Sequence, residues 1–159
     1  MIEIIQPKTE PELQQVRQVF REYEKYLGFE LDFQSFEDEL RSLPGVYSPP
    51  AGRLFMAVDN GSRPAGTVAL KKIDDGICEM KRLYVRPEYR GHKLGLRLAE
   101  LIIDEAREIG YKKMRLDSLK RLTEALSLYK KLGFIQTDPY VYNPLEDVVY
   151  MELDLTVQS

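Results

Sequence analysis

The sequence predicts a mixed α/β (α+β) fold: a mostly antiparallel sheet of about seven strands with one parallel pair, and four helices, in the order β-α-α-β-β-β-α-β-α-β-β. Three observations predict it. Asp59-Asn60-Gly61-Ser62 and Asp74-Asp75-Gly76 are tight-turn signals that tie three consecutive strands into an antiparallel meander. The third of those strands is followed by an amphipathic helix and then another strand, a βαβ unit whose two strands run parallel. At 159 residues, with no repeat, low-complexity tract or linker, the chain has the length of a single domain covering 1–159.

Each element has a local cause. Residues 2–5 read as a short strand. Thr9 is an N-cap, Glu12 completes a capping box and Pro11 sits in the first turn. The helix that follows runs to about residue 26, with Leu13, Val16, Val19, Phe20 and Tyr23 along one side, and Gly28 ends it. A shorter helix covers 33–43 and stops at Pro44-Gly45. Residues 47–52 are loop. The meander strands are 53–59, 65–73 and 77–85. A helix over about 92–109 carries Gly95, Leu98, Ala99, Ile102, Ala106 and Ile109 on one face and charged residues on the other. A strand at 112–117 precedes a helix at about 122–132, whose Lys130, Lys131 and Gly133 suit a helix C-terminus. Strands at 134–137 and 148–155 close the sheet.

Composition excludes several function classes. The formal net charge is −3 with mixed signs and no basic stripe, which argues against nucleic acid as a partner and favours neutral or cationic substrates. One cysteine, Cys78, rules out an intrachain disulfide and a cysteine-rich metal site. No signal peptide or membrane span is legible, so a cytoplasmic protein is expected.

The most informative stretch is Val85-Arg86-Pro87-Glu88-Tyr89-Arg90-Gly91-His92-Lys93-Leu94-Gly95. It links an apolar strand to an amphipathic helix. Such a loop presents backbone N–H groups without intrahelical partners at the positive end of the helix dipole. Gly91 and Gly95 permit close approach, and Arg90 adds a planar donor fork. Together they describe a pyrophosphate cradle.

Arg90-Gly91-His92-Lys93-Leu94-Gly95 resembles the acetyl-CoA loop of the GCN5-related N-acetyltransferase (GNAT) superfamily: Arg or Gln, two residues, Gly, one residue, then Gly or Ala. Ala125-Leu126-Ser127-Leu128-Tyr129-Lys130-Lys131-Leu132-Gly133-Phe134 resembles the later A-x-x-L-Y-x-x-x-G-F helix of that family. The local match runs over 79–134, and the predicted element order matches almost throughout. The resemblance implies a GNAT-like single domain, with a central twisted sheet bearing helices on both faces. Two positions depart from the pattern. Lys93 stands where Gly is most frequent; the cradle survives this if Lys93 takes helical dihedrals and points outward. Leu122 stands where many relatives have Asn, leaving Ser118 or Thr123 as substitutes.

The resemblance implies acetyl-CoA as cofactor, with its pyrophosphate on the N–H groups of Gly91, His92, Lys93, Leu94, Gly95 and Leu96, and Arg90 ordering the loop or binding phosphate. The pantetheine arm would lie along Leu83, Tyr84 and Val85 as an added strand, with an N–H near Leu83 facing the developing oxyanion. Glu79 stands in an apolar strand where the histone-acetylating branch of the family has its base, which implies a general base acting directly or through water. The competing reading is an ion pair with Lys81 or Arg82. Tyr129 corresponds to the family's thiolate-protonating tyrosine, against the alternative of a core tyrosine. Cys78 lacks a nearby histidine, since the lone His92 lies in the loop, and reads as a core residue. No metal is expected. The acceptor site draws on Tyr26, Phe29 and Phe33 and on Tyr140, Tyr142, Asn143 and Pro144.

The reading is an N-acetyltransferase that moves acetyl from acetyl-CoA to a primary amine by direct attack in a ternary complex. Its amine is a small molecule or a peptide, and a homodimer stays open. The alternatives are a non-catalytic CoA- or acyl-CoA-binding sensor and a nucleotide-binding α/β domain; the second lacks G-x-G-x-x-G and G-x-x-x-x-G-K-[ST].

Overall fold

Thr9 caps the first helix as its sequence demands. The Glu12 N–H donates to Thr9 Oγ1 at 3.3 Å, and the Thr9 N–H donates to Glu12 Oε1 at 3.0 Å. In the computed structural model, which describes residues 1–28, 33–141 and 145–157, this helix is α1 (Glu10–Leu27) and is followed by α2 (Phe33–Ser42). The other helices are α3 (Leu94–Ile109) and α4 (Thr123–Leu132). The strands are β1 (Ile2–Ile5), β2 (Arg53–Asp59), β3 (Arg63–Asp74), β4 (Ile77–Val85), β5 (Lys113–Leu119), β6 (Ile135–Thr137) and β7 (Val148–Asp154). The element order agrees with the sequence reading throughout; short 3-10 turns at Gly45–Tyr47 and Pro87–Tyr89 are additional.

The seven strands form one sheet in the order β1-β2-β3-β4-β5-β7-β6. Only β4 and β5 are parallel; the other pairs are antiparallel. Period-two alternation sends neighbouring residues to opposite faces. Leu54, Met56 and Val58 of β2 pack with Leu13, Val16, Phe20, Phe36 and Leu40 of α1 and α2. Phe55 and Ala57 pack on the other face with Leu98, Ala99, Ile102 and Ala106 of α3 and with Tyr129 of α4. Two cores therefore sandwich the sheet, with helices on both faces.

Two irregularities position the site. First, β4 pairs with β5 over only three registers, Ile77 with Lys113, Cys78 with Met114 and Glu79 with Arg115. Beyond Glu79 the two strands part, opening a wedge between the upper half of β4 and the end of β5. Second, β4 bulges. Thr67 lies opposite Tyr84 and Ala69 opposite Lys81, so Arg82 and Leu83 together face one residue of β3. Arg82 takes φ 58°, and the buried Thr67 hydroxyl fixes the bulge by donating to the Arg82 carbonyl at 2.8 Å.

Candidate active site

The loop after β4 is drawn back onto its own strand. Arg90 Nε donates to the Val85 carbonyl at 3.0 Å, and its guanidinium stacks over Tyr26 (4.8 Å) and Tyr84 (5.6 Å). Arg86 reaches Glu22 of α1 at 2.7 Å, tying the base of the loop to the opposite layer. Gly91 adopts φ 86°, a conformation that L side chains rarely take. Lys93 adopts φ 60° and ψ 21°, left-handed rather than helical. That corrects the expectation for Lys93: α3 starts at Leu94, not near 92, because the chain turns through this residue. It also explains why glycine suits the position. Among the described residues, the N–H groups from Gly91 to Leu96 donate to no protein oxygen, and the first intrahelical bond to this turn is Arg97 N–H to the Lys93 carbonyl. These free amides at the start of a 16-residue helix fit a diphosphate.

The wedge opens into a cleft of about 500 Å³. Leu83, Tyr84, Val85, Arg90, Gly91, Lys93, Leu94 and Gly95 line one side, and Ser118, Leu122, Thr123, Ala125 and Tyr129 the other. His92 and Leu96 do not line it; of their groups, only the backbone amides join the loop. Tyr129 is buried, packs edge-on against Phe134 at 5.7 Å and borders the cleft. Burial pushes its phenol well above the ordinary tyrosine range, with Tyr23 and Asp117 adding to the rise. Such a phenol stays protonated at neutral pH, as a proton donor must be. Ser118 and Thr123 flank Leu122 on the cleft wall, where they can supply the polar contact that Leu122 cannot.

A second cavity of about 600 Å³ lies under α1 and α2 on the same sheet face as Glu79. The β4 bulge makes it. Consecutive residues Lys81 and Arg82, which a regular strand would send to opposite faces, both line this cavity. Arg82 makes a bidentate pair with Glu39 of α2, at 3.0 and 2.7 Å, and stacks over Phe36. Tyr47 donates to the same carboxylate at 2.9 Å. Although burial opposes it, the Arg82 hydrogen bonds hold the Glu39 carboxyl below its ordinary range. Tyr23, Asp117, Ser118 and Leu122 line both cavities, so the two spaces meet at the wedge.

Glu79 is 4% exposed and lines neither cavity. The Tyr140 hydroxyl donates to its Oε2 at 2.6 Å, and Lys71 and Lys81 stand 3.9 Å from Oε1. The lysine pairing weighed from sequence is therefore present, while Arg82 turns instead to Glu39. Tyr26 lines the loop cleft against Arg90 and Tyr84, whereas Tyr23, one turn earlier and also against Tyr84, lines both cavities. Tyr140 packs on Tyr150 at 5.4 Å and under Arg115. Phe29, Tyr142, Asn143 and Pro144 lie outside the described residues, as does the side chain of Phe33. Cys78 is fully buried, its Sγ near the Lys113 carbonyl, and burial pushes the thiol up to about 12. Asp117 and Glu39 escaped the sequence reading, and Arg82 entered it only as a possible partner of Glu79. Asp117 had one signal: with Arg115 it is a polar residue alternating with Met114 and Leu116 in a strand, which places both on the face of Glu79.

Comparison with known proteins identifies this arrangement. Residues 13–134 match the acetyltransferase (GNAT) family. An uncharacterized N-acetyltransferase of Schizosaccharomyces pombe is 42% identical over 156 residues, 98% of this chain and 96% of the relative. A GNAT-family acetyltransferase structure from Staphylococcus aureus has a TM-score of 0.83 at 19% identity, covering 98% of this chain and 99% of that one. The PaiA N-acetyltransferase of Thermoplasma acidophilum, solved in complex with coenzyme A, has a TM-score of 0.75 at 24% identity, covering 97% and 99%. No helix among the described residues is long and apolar enough to cross a membrane. A strand-to-helix loop with unpaired amides, opening on a parted sheet, in a chain matched over 13–134 by the GNAT family and along nearly its whole length by an uncharacterized N-acetyltransferase, places this protein in the GNAT family as an acetyl-CoA-dependent N-acetyltransferase.

Proposed function

We propose that a primary amine attacks the acetyl thioester directly, in a ternary complex formed where the two cavities meet between β4 and β5. The observation that carries this reading is the meeting itself: one cleft carries the diphosphate loop and the other does not, yet Tyr23, Asp117, Ser118 and Leu122 line both. Acetyl-CoA supplies an activated acyl group. The task left to the chain is positioning and proton handling.

The amides from Gly91 to Leu96 hold the diphosphate, and Arg90 keeps the loop closed over Tyr26 and Tyr84. The parted edge at Leu83, Tyr84 and Val85 takes the amide-bearing arm as a short added strand. An N–H beside the bulge at Leu83 faces the thioester oxygen and stabilises its charge as it develops. Tyr129 gives its phenolic proton to the leaving thiolate. Glu79 takes the proton of the attacking amine at one remove, through a water, since its carboxylate is sealed by Tyr140, Lys71 and Lys81. We read 1–159 as a single domain working in the cytoplasm on a small-molecule or peptide amine, without a nucleic-acid partner.

The test is a thermal-unfolding titration with CoA. The wild type is stabilised by CoA, and Arg90→Glu loses that shift because an anion replaces the loop clamp beside the diphosphate. No stabilisation of the wild type, or an undiminished shift in Arg90→Glu, overturns the loop assignment. Release of CoA thiol on addition of an amine then reports transfer.

A further inference from the structure

The acceptor cavity carries two uncompensated charges of opposite sign. Arg82 is neutralised by its bidentate pair with Glu39. Asp38 pairs with Arg41. Glu79, by contrast, is one carboxylate facing two ammonium groups, Lys71 and Lys81, each 3.9 Å from the same oxygen. One positive charge is left over on that wall. Asp117 is the converse. Among the described residues it has no ion-pair or hydrogen-bond partner, and its carboxylate is half-buried. Burial raises its pKa above the ordinary aspartate value although Lys81, Arg82 and Lys71 act to lower it; burial lowers that of Lys81, with Arg82 adding to the fall.

Their positions are not equivalent. Asp117 lines both cavities and therefore stands where the acyl group is exchanged. Lys71 and Lys81 line the acceptor cavity alone. We infer that the acceptor is an amine that also bears a carboxylate, an amino acid, held with its ammonium on Asp117 at the wedge and its carboxylate on Lys81 and Lys71. This rests on the transfer reading above and names the substrate class of that same site. Polyamines and lysine side chains of basic proteins meet two lysines on that wall and are disfavoured. The overall charge of −3, which pointed toward cationic substrates, is a property of the whole surface rather than of this cavity.

The test measures CoA thiol release from acetyl-CoA with the standard amino acids, the corresponding amino-acid amides, and cadaverine. At least one amino acid is turned over with kcat/KM about tenfold or more above its own amide, the factor expected for a partly desolvated charge pair. Lys81→Met removes that preference, lowering kcat/KM for the amino acid about tenfold more than for its amide; Lys81→Arg restores it. Asp117→Asn raises KM for amino acid and amide alike by about tenfold while keeping the CoA-induced thermal shift. Amides or cadaverine used as well as amino acids, or a preference that survives in Lys81→Met and in Lys71→Met, overturns the inference. If the wild type binds CoA and releases no thiol with any of these compounds, the inference fails for a different reason, because transfer to this class of amine is then absent.

Discussion

Two glycines four residues apart in the diphosphate loop should respond to alanine with opposite signs. Gly91 has φ 86°, and an added Cβ there would meet nothing within 4 Å. The penalty for Gly91→Ala is therefore backbone strain rather than collision. A left-handed L-residue costs roughly 1–2 kcal/mol, and the stiffer unfolded chain returns about 0.4–1 kcal/mol, leaving a net loss near 1 kcal/mol. Gly95 lies inside α3, and its added Cβ would sit 3.8 Å from Val85 Cγ2 and 3.9 Å from Leu128 Cδ2, ordinary contact distances. Gly95→Ala consequently keeps the entropic gain and loses nothing, for a net stabilisation of about 0.5–1 kcal/mol. For a domain of this size each kcal/mol moves Tm by about 2–4 °C. Thermal unfolding of the ligand-free variants, followed by circular dichroism, should find Gly91→Ala a few degrees below the wild type and Gly95→Ala above it. Shifts of the same sign in both would refute the reasoning, because strain and space would then not be what separates them.

Tyr129→Phe should lower kcat by about a hundredfold, the low end for loss of a general acid, while the CoA-induced Tm shift and the unfolding midpoint stay close to wild type; parallel loss of binding and turnover would assign the residue to packing alone. Cys78 should resist iodoacetamide in the folded protein at neutral pH and react once the chain is unfolded in urea, and Cys78→Ala should retain transfer, as a covalent acyl intermediate would forbid. Stability should fall as pH rises from about 9 toward 12. Burial lifts Cys78 from 9.0 to about 12 and Tyr23 from 10.0 to about 12, so the unfolded chain loses these protons first and is favoured across that window. Urea midpoints that stay level through this range would contradict the burial of both groups.

What could be read from the chain was local. The capping box at Thr9, the turns at Asn60-Gly61 and Asp75-Gly76 and the periodicity of 94–109 each carry their own cause within a few residues, and these elements appear where expected. The strand-to-helix loop at 86–93 was legible for the same reason. Lys93 was misjudged because its left-handed turn is imposed by the route from Arg90 into α3, not by its own preference. The bulge at Arg82 has no glycine or proline to announce it; it depends on register against β3 and on the Thr67 hydroxyl. The second cavity was illegible because its members, Glu39 on α2, Lys81 and Arg82 on β4 and Asp117 on β5, come together only when α1 and α2 pack on the assembled sheet. Glu79 stood out as a polar residue in an apolar strand, yet neither Tyr140 nor the two lysines that enclose it could be ranked from spacing alone.

The parting of β4 from β5 has a thermodynamic corollary. Over 80–85 on one strand and 116–119 on the other, peptide groups that an unbroken sheet would have bonded across the gap face each other without a ladder. The ligand-free molecule is in this sense a sheet short of half a strand, and occupancy of the gap finishes its folding. Amide hydrogen exchange should thus slow along both lips of the gap when CoA binds, with much less change in β2 and β7, which do not border it.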